Sequence, residues 1–254
     1  MPPARAPSDT ELSVSIVIPT WCEEATIAGA VAAARTIADE VIVADGGSTD
    51  ETASVARAAG ARVVLAPRGR GAQLHAGAAA AGGDVLLFLH ADAELPLAAR
   101  RAIQDALSDK AVLGGNFHLR FVPRSFAARL FTWANDVRRR WLHVYYGDSA
   151  LFVRRSTYGV LGGFRALPIF EDYELVRRIE RAGRTVYIRD VTVEASARRF
   201  ASAPLRTLAL WTVLQVLYSV FGLHPDRLAR LYTNVRARPR APLRHEAARR
   251  PLPE

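Results

Sequence analysis

The sequence contains a single cysteine, Cys22, in 254 residues. One thiol excludes an intrachain disulfide and a zinc cluster built on thiolates, and it fits a reducing compartment. Residues 1–13 lack the apolar run of a cleaved secretory signal. Thr207–Leu223 is almost free of charge, yet it is shorter than the ~20 residues that a spanning helix needs. We therefore expect a cytoplasmic protein in which this segment packs on the domain or lies at the inner face of the cell membrane.

Lysine is almost missing too. Lys110 is the only one, so nearly all of the formal net charge of +9 comes from arginine. Several of these arginines alternate with prolines in residues 236–254, a segment without apolar periodicity that we predict to be disordered. An arginine excess favours anionic lipid headgroups or a phosphorylated substrate. No recognisable nucleic-acid-binding module accompanies the charge, and we expect no nucleic-acid partner.

What the first half does have is a regular alternation of apolar strands and small-residue helices. Half of the residues are hydrophobic, enough to bury one substantial core. The predicted strands are Ser13–Pro19, Glu40–Asp45, Arg62–Ala66 and Asp84–Leu89. Three helices connect them: the first is Ala25–Ile37, the second is capped by Ser48 or Thr49 and ends at Ala59, and the third is Ala72–Ala81. This spacing predicts βαβ units, and hence an α/β fold with a mostly parallel central sheet flanked by helices.

The second half has longer elements and shows no internal repeat. Helix Arg124–His143 carries an apolar face formed by Phe126, Leu130, Trp133, Val137 and Trp141. The other predicted elements are strands at Val112–Phe121, Ala150–Val153 and Thr185–Val193, and helices at Glu171–Ala182, Pro204–Phe221 and Pro225–Val235. The two tryptophan-bearing helices, Arg124–His143 and Pro204–Phe221, suit a membrane surface or packing over the edge of the sheet.

The acidic group with the strongest functional signal is Asp92, directly after the fourth predicted strand. Open α/β sheets bind ligands beyond the carboxyl ends of their strands. A carboxylate there suits Mg²⁺ or Mn²⁺. Water molecules and substrate phosphates complete the coordination shell of such an ion. His90 can ligate the metal, orient Asp92, or simply end the strand.

Two further acids follow the earlier strands. Asp45 ends the second strand before a glycine pair, where a carboxylate can accept hydrogen bonds from a base or a ribose, or simply stabilise a turn. Glu23 follows the first strand and is placed in the same way, although an acid at a helix start needs no ligand.

A basic segment, Arg68–Gln73, precedes the third predicted helix. Its glycines permit close approach of the backbone, and its arginines can reach a diphosphate. A flexible basic loop is the alternative, because the glycine spacing is not that of a dinucleotide-binding motif.

Glu171 and Asp172 open a helix after an apolar loop that contains a proline. Acids in a first turn are favoured by the helix dipole alone. In a dry pocket, however, one of these carboxylates can take a proton from an attacking hydroxyl. Asp148, within a glycine-flanked segment, would frame the acceptor side, and the Arg198–Arg199 pair would neutralise a leaving diphosphate or pair with surface acids.

Taken together, these segments resemble family 2 glycosyltransferases with the GT-A fold, in particular a bacterial subgroup of short, stand-alone enzymes. The likeness covers Ser13 to Phe200. It rests on the motifs VIPTWCEE, VADGGSTDET, RGRGAQLHAG, FLHADAEL and FEDYELVRRI, in this order, and on SARRF. Each motif alone is weak, but five in the right order are specific.

The resemblance implies roles for individual residues. Donor-binding residues would be Pro19, Thr20, Glu23, Asp45, Arg70 and Gln73. Asp92, with His90, would bind Mn²⁺ or Mg²⁺, and Asp172, beside Glu171, would be the general base of an inverting displacement. Two positions depart from the family pattern. Gly46 stands where many relatives have a second aspartate, and His90 replaces the first acid of the metal motif.

The resemblance implies an inverting, metal-dependent hexosyltransferase. It would move a sugar from a nucleoside-diphosphate sugar to a hydroxyl or carboxylate of a lipid-like or small-molecule acceptor, with peripheral membrane contact. We expect a transferase domain at 13–200 and a helical extension at 201–235. The alternatives are a sugar-phosphate nucleotidylyltransferase, which normally has a longer N-terminal glycine-rich loop, and a non-catalytic nucleotide-sugar-binding or membrane-adaptor protein, which Gly46 and His90 favour.

Overall fold

The computed structural model describes residues 11–197 and 203–236. The first half is a parallel α/β layer. It consists of β1 (Val14–Thr20), α1 (Glu24–Arg35), β2 (Glu40–Asp45), α2 (Thr52–Ala58), β3 (Arg62–Leu65), α3 (Arg70–Ala80) and β4 (Val85–Phe88). β1 lies between β2 and β4, and all three neighbouring pairs are parallel. β4 is buried along its whole length and β1 along nearly all of it, as expected for a parallel sheet covered on both faces.

The second half extends the same sheet with strands of both directions. It comprises β5 (Ala93–Glu94), α4 (Ala98–Leu107), β6 (Val112–Val122), α5 (Phe126–Leu142), β7 (Leu151–Arg154), α6 (Arg155–Val160), α7 (Glu171–Ala182), β8 (Arg184–Ser196), α8 (Pro204–Ser219) and α9 (Pro225–Arg236). The strand order is β3-β2-β1-β4-β7-β6-β8-β5. Four of the seven pairings are parallel, which confirms the predicted α/β class.

Three elements were absent from the prediction: β5, α4 and α6. β5 has only two residues, too few to show an alternation. α4 buries Ala99, Ile103 and Leu107, which are four residues apart, so the sequence does contain the apolar periodicity of this helix. α6 follows β7 without a loop and buries only Tyr158.

The basic segment is part of a helix rather than a loop, which corrects the predicted start of α3. Gly69, with φ 137°, is the cap, and Arg70 is the first helical residue. Gly71 packs so closely on the chain that a Cβ there would lie 2.3 Å from the backbone oxygen of Arg165. The glycines therefore set the entry and the packing of α3, while Arg70 is fixed on its first turn.

The predicted cap of α2 is wrong. Neither Ser48 nor Thr49 caps this helix, which begins at Thr52. The Ser48 hydroxyl donates instead to the Asp45 carboxylate, and its oxygen accepts from the backbone N–H of Cys22 at 2.9 Å. The local turn around Asp45 therefore uses the hydroxyl that the prediction gave to the helix.

The predicted apolar face of α5 is largely in contact with solvent. Phe126, Trp133 and Trp141 have exposed fractions of 76%, 63% and 75%. The residues that α5 buries are Ala127, Ala128, Phe131 and Arg139. Periodicity identified the helix correctly but not the side that faces the sheet, because small alanines and one arginine make that contact.

The C-terminal helices pack on the start of α7. The ring of Phe170 stacks on Tyr218 of α8 with centroids 5.1 Å apart, and Leu214 and Leu228 are buried in the same apolar cluster. Within the described ranges, no helix is long and apolar enough to cross a membrane. Of the tail predicted to be disordered at 236–254, Arg236 is instead the last residue of α9, and residues 237–254 lie outside those ranges.

Candidate active site

A cavity of about 480 Å³ lies between the carboxyl ends of the central strands and the C-terminal helices. β4, β6 and β8 end at it on one side, and α5, α8 and α9 cover the other. Its wall contains six of the predicted site residues: Arg70, His90, Asp92, Asp148, Glu171 and Asp172. Residues far apart in the sequence therefore share one cleft.

Two carboxylates reach this cleft from separate elements. Asp92 lies in the turn between β4 and β5, and Asp172 lies in the first turn of α7. Gly147 separates the two sides: a Cβ there would lie 3.4 Å from Asp172 Oδ2 and 3.5 Å from His90 Nε2. Gly147 therefore lies between the His90 ring and the Asp172 carboxylate, within ordinary contact distance of both.

The Asp172 carboxylate is buried and held by three donors. Oδ2 accepts from the backbone N–H of Gly147 and from a terminal nitrogen of Arg70, both at 2.9 Å, and Oδ1 accepts from the N–H of Tyr173 at 2.7 Å. Phe170 adopts a left-handed conformation (φ 62°) just before α7 and turns the chain so that the first helical residues point inward. Three donors on two oxygens fix the orientation of the group and leave Oδ1 able to accept a proton.

Glu171 is also buried, and its carboxylate forms a short ion pair with Arg70 Nε. Burial raises the pKa of the Glu171 carboxyl, and the charge of Asp172 adds to that effect, whereas Arg70 acts in the opposite direction. One guanidinium therefore pairs with two neighbouring acids, and its effect on the pKa of Glu171 does not outweigh that of burial.

The predicted donor-binding residues of the first strands lie at adjoining carboxyl ends. In the β1–β2 register, Pro19 is opposite Ala44 and Thr20 is opposite Asp45. The Thr20 hydroxyl oxygen is buried and has no hydrogen-bond partner in the described part of the chain. None of these residues lines the 480 Å³ cavity. Their donor contacts stay predictions.

Several predicted donor residues are occupied with local hydrogen bonds. Asp45 accepts from the backbone N–H of Ser48, and exposed Glu23 accepts from the Thr26 hydroxyl at 3.0 Å. Gln73 is buried, and its amide donates to the carbonyls of Thr20 and Ala44 at 2.6 and 3.0 Å. The Gln73 side chain thus holds the ends of β1 and β2 together.

Gln73 also accounts for the first departure from the family pattern. A Cβ at Gly46 would lie 3.0 Å from both Cδ and Nε2 of Gln73. The second aspartate of many relatives would therefore displace this amide, so Gly46 and Gln73 fit each other as a pair.

His90 and Asp92 are the residues suited to a metal. An imidazole and a carboxylate are the donor types that Mn²⁺ accepts, and both side chains lie on the cavity wall. No group of three or more His, Cys, Asp or Glu side chains among the described residues is arranged to hold a metal ion. Phosphate oxygens and water would have to complete the coordination, as is common for such ions.

Two predicted residues, Arg198 and Arg199, lie outside the described residues. The cavity also contains residues that the sequence did not single out for the site. Among these are Asn135, Arg138, Tyr146, Phe170, Arg206 and Trp211. Their motifs are too short to recognise, and only the packing of α5 and α8 against the sheet brings them in.

Comparison with known proteins decides the family. The family model described as glycosyl transferase family 2 matches residues 15–167. The chain belongs to glycosyltransferase family 2. Curated relatives match over shorter segments. Glucosyl-3-phosphoglycerate synthase of Mycobacterium tuberculosis is 37% identical over 93 residues, which cover 32% of this chain and 29% of that protein. An uncharacterized glycosyltransferase of Mycobacterium bovis is 39% identical over 84 residues, covering 33% of this chain and 38% of the relative.

Solved structures show the fold. The M. tuberculosis glucosyl-3-phosphoglycerate synthase in complex with Mn²⁺, UDP and glucosyl-3-phosphoglycerate superimposes with a TM-score of 0.55 at 22% identity, over 85% of each chain. A second complex of that enzyme, with Mn²⁺, UDP-glucose and glycerol 3-phosphate, has a TM-score of 0.54 at 23% identity, over 84% of this chain and 85% of that one. The predicted GT-A fold is thereby confirmed for this member of the family.

Proposed function

We propose that this glycosyltransferase is an inverting, metal-dependent enzyme that transfers a sugar from a nucleoside-diphosphate sugar to a hydroxyl or carboxylate of a small-molecule or lipid-like acceptor. The observation that carries the proposal is the common cavity of Asp92 and Asp172. A metal ligand and a general base on opposite elements of one cleft leave room for an activated sugar between them.

The chemistry follows from these positions. Asp172 takes the proton of the acceptor hydroxyl while that oxygen attacks the anomeric carbon, and the nucleoside diphosphate departs with the electrons of the broken bond. The attack comes from the face opposite the leaving group, so the anomeric configuration inverts. Asp92 and His90 would hold the divalent cation, which supplies positive charge to the departing diphosphate when bound.

The donor and metal proposed here are a UDP-sugar and Mn²⁺, with Mg²⁺ as the alternative ion. One solved glucosyl-3-phosphoglycerate synthase complex contains Mn²⁺ with UDP, and two others contain Mn²⁺ and UDP-glucose with phosphoglyceric acid or glycerol 3-phosphate. Small molecules of this kind in a relative's complexes support the small-molecule half of the proposal. The transferase domain is proposed to span residues 13–200, with 201–235 as a helical extension.

Peripheral contact with the inner face of the cell membrane is part of the same proposal, as is a cytoplasmic location. Trp133 and Trp141 on α5, and Val213 and Phe221 in or after α8, are exposed by 54% or more. Exposed tryptophans beside arginines suit the interface of an anionic bilayer. Binding of the protein to vesicles, lost on replacing both tryptophans by serine, measures this part directly.

A thermal-shift panel of UDP- and GDP-sugars, with Mn²⁺ or with a chelator, tests the donor side. Binding to the folded state stabilises it by about 2.7 kcal/mol at a hundredfold excess over the dissociation constant. We expect stabilisation by one nucleotide class, weakened by the chelator and by Asp92→Ala, and unchanged by Asp109→Ala, an exposed acid paired with Arg184. Sugar transfer separates the enzyme from a non-catalytic binder, and pyrophosphate release would indicate a nucleotidylyltransferase. If Asp92→Ala leaves donor affinity in Mn²⁺ unchanged, the metal assignment fails.

A further inference from the structure

Two arginines on different helices enter the active-site cavity without an acid to neutralise them. Arg138 lies on α5 and Arg206 on α8, and both line the cavity wall. Neither forms an ion pair with another of the described residues. Arg70, the third arginine of the cavity, is already paired with Glu171 and Asp172. The cavity wall therefore carries two arginines without an ion pair among the described residues, beside one arginine that is paired.

The Arg138 guanidinium is held in place but not satisfied. One terminal nitrogen donates to the side-chain oxygen Oδ1 of Asn135, and the group lies 5.2 Å over the Tyr146 ring. Its Nε is buried and has no hydrogen-bond partner in the described part of the chain. Because the Nε atom itself is buried, a ligand in the cavity would meet the terminal nitrogens of the guanidinium rather than Nε.

Tyr146 links this guanidinium to the base. Its ring lies under Arg138, and the next residue, Gly147, donates its N–H to Asp172 Oδ2 at 2.9 Å. The Tyr146 hydroxyl donates to Gln215 of α8, the helix that carries Arg206. Arg138, Arg206, Tyr146 and Asp172 all line one cavity, so a ligand bound at the two arginines would share it with the base.

We propose that Arg138 and Arg206 form an anion subsite for the acceptor, which carries a phosphate or carboxylate on the same molecule as the hydroxyl that receives the sugar. The inference rests on the proposed function, because it assigns the acceptor side of that site. Guanidinium groups suit the planar or trigonal oxygens of such anions, and the Asn135 amide N–H₂ adds a donor on the same wall. The anion fixes the acceptor so that its hydroxyl meets Asp172.

Calorimetric titration with inorganic phosphate tests the subsite in the full chain, alone and with saturating UDP and Mg²⁺. We expect phosphate to bind in the presence of UDP, and Arg138→Gln and Arg206→Gln each to weaken it by about 10-fold or more, the loss of roughly one charged hydrogen bond. Arg140→Gln is the control: this arginine follows on the same helix, has a 48% exposed side chain and pairs with Asp136 at 3.6 Å.

Two results overturn the inference. Phosphate affinity that is unchanged in Arg206→Gln, an exposed position where the fold does not depend on the side chain, removes the subsite. Phosphate binding that UDP abolishes assigns the two arginines to the leaving diphosphate instead. Failure of UDP itself to bind contradicts the proposed function. The subsite is judged separately, by the effect of the two substitutions on phosphate affinity.

Vesicle flotation distinguishes a soluble anion from a lipid phosphate. Vesicles of phosphatidic acid in phosphatidylcholine are compared with phosphatidylcholine alone, using the same variants. Vesicle binding lost in both Arg138→Gln and Arg206→Gln assigns the subsite to a lipid headgroup. Vesicle binding that the two substitutions leave unchanged, with phosphate affinity reduced in solution, assigns it to a soluble acceptor.

Discussion

The two halves of the molecule hold their polar groups by different means. In residues 14–95 the key side chains at the ends of β1 and β2 bond to the backbone: the Gln73 amide joins the carbonyls of Thr20 and Ala44, whereas Arg70 pairs with acids of the other half. In residues 112–236 they are arranged around guanidinium groups, as where Arg139 contacts Asn116, Glu180 and Thr185. We therefore expect the removal of one charged side chain to cost less at a sheet end held by neutral hydrogen bonds than in a site held by ion pairs.

The largest effect is expected in the C-terminal half, on catalysis. Asp172→Asn keeps the shape of the side chain but cannot take a proton at pH 7. Because a general base contributes roughly 10²–10⁴-fold, we expect kcat to fall by that factor with donor affinity unchanged. Steady-state kinetics and calorimetry measure the two quantities, with Asp109→Asn as an exposed control. Turnover close to that of the parent protein would remove Asp172 as the base.

The next effect is on stability. Arg139 is buried, and its guanidinium lies 4.3 Å over the Tyr145 ring while it bonds to Asn116, Glu180 and Thr185. Arg139→Ala removes the guanidinium from a partly buried Glu180 carboxylate, which keeps only the Thr185 hydroxyl and the His143 ring as partners, and breaking a buried pair costs about 3–5 kcal/mol. Urea denaturation measures the free energy of unfolding.

Arg140→Ala, one position further on the exposed face of α5, is the matched control, and we expect a change of about 0–1 kcal/mol. Equal losses in the two variants would show that the charge network around Arg139 is not what holds this half together.

In the N-terminal half the corresponding loss is smaller. Gln73→Ala removes two hydrogen bonds to buried carbonyls, and we expect a loss of about 1–3 kcal/mol in the free energy of unfolding. Gln104 makes a similar amide bridge to the backbone of Leu12 at a half-buried position, so Gln104→Ala is the control. A larger loss in Gln73→Ala than in Arg139→Ala would reverse the comparison of the two halves.

The same contrast explains what the sequence could predict. β1 and β2 end at or within a residue of their predicted ends, because apolar runs stop at Pro19 and Asp45. Asp92 and Asp172 could be singled out from the sequence because each lies in a recognisable motif, and the structure places both on the wall of one cavity. The arginine subsite was not, because it depends on which faces of α5 and α8 meet the sheet. α8 is apolar on all sides, so its sequence pattern does not indicate which side faces the sheet.

The smallest expected effect is a pH dependence that arises at His118 in the C-terminal half. Burial lowers the pKa of His118 on β6, and Arg189 and Arg120 lower it further against the opposing charge of Asp136. The unfolded chain therefore takes up this proton at a higher pH than the folded protein does. The resulting stability is present above the ordinary histidine pKa of about 6.5 and is lost as the pH falls below it.

We expect the free energy of unfolding to fall between pH 7.5 and 5, and His118→Gln to reduce that fall. His75→Gln, at an exposed histidine of the N-terminal half, is the control. If both substitutions alter the pH dependence equally, the titrating group is not specific to the C-terminal half. The contrast between a half held by neutral hydrogen bonds and a half held by charged groups would then be wrong for the histidines.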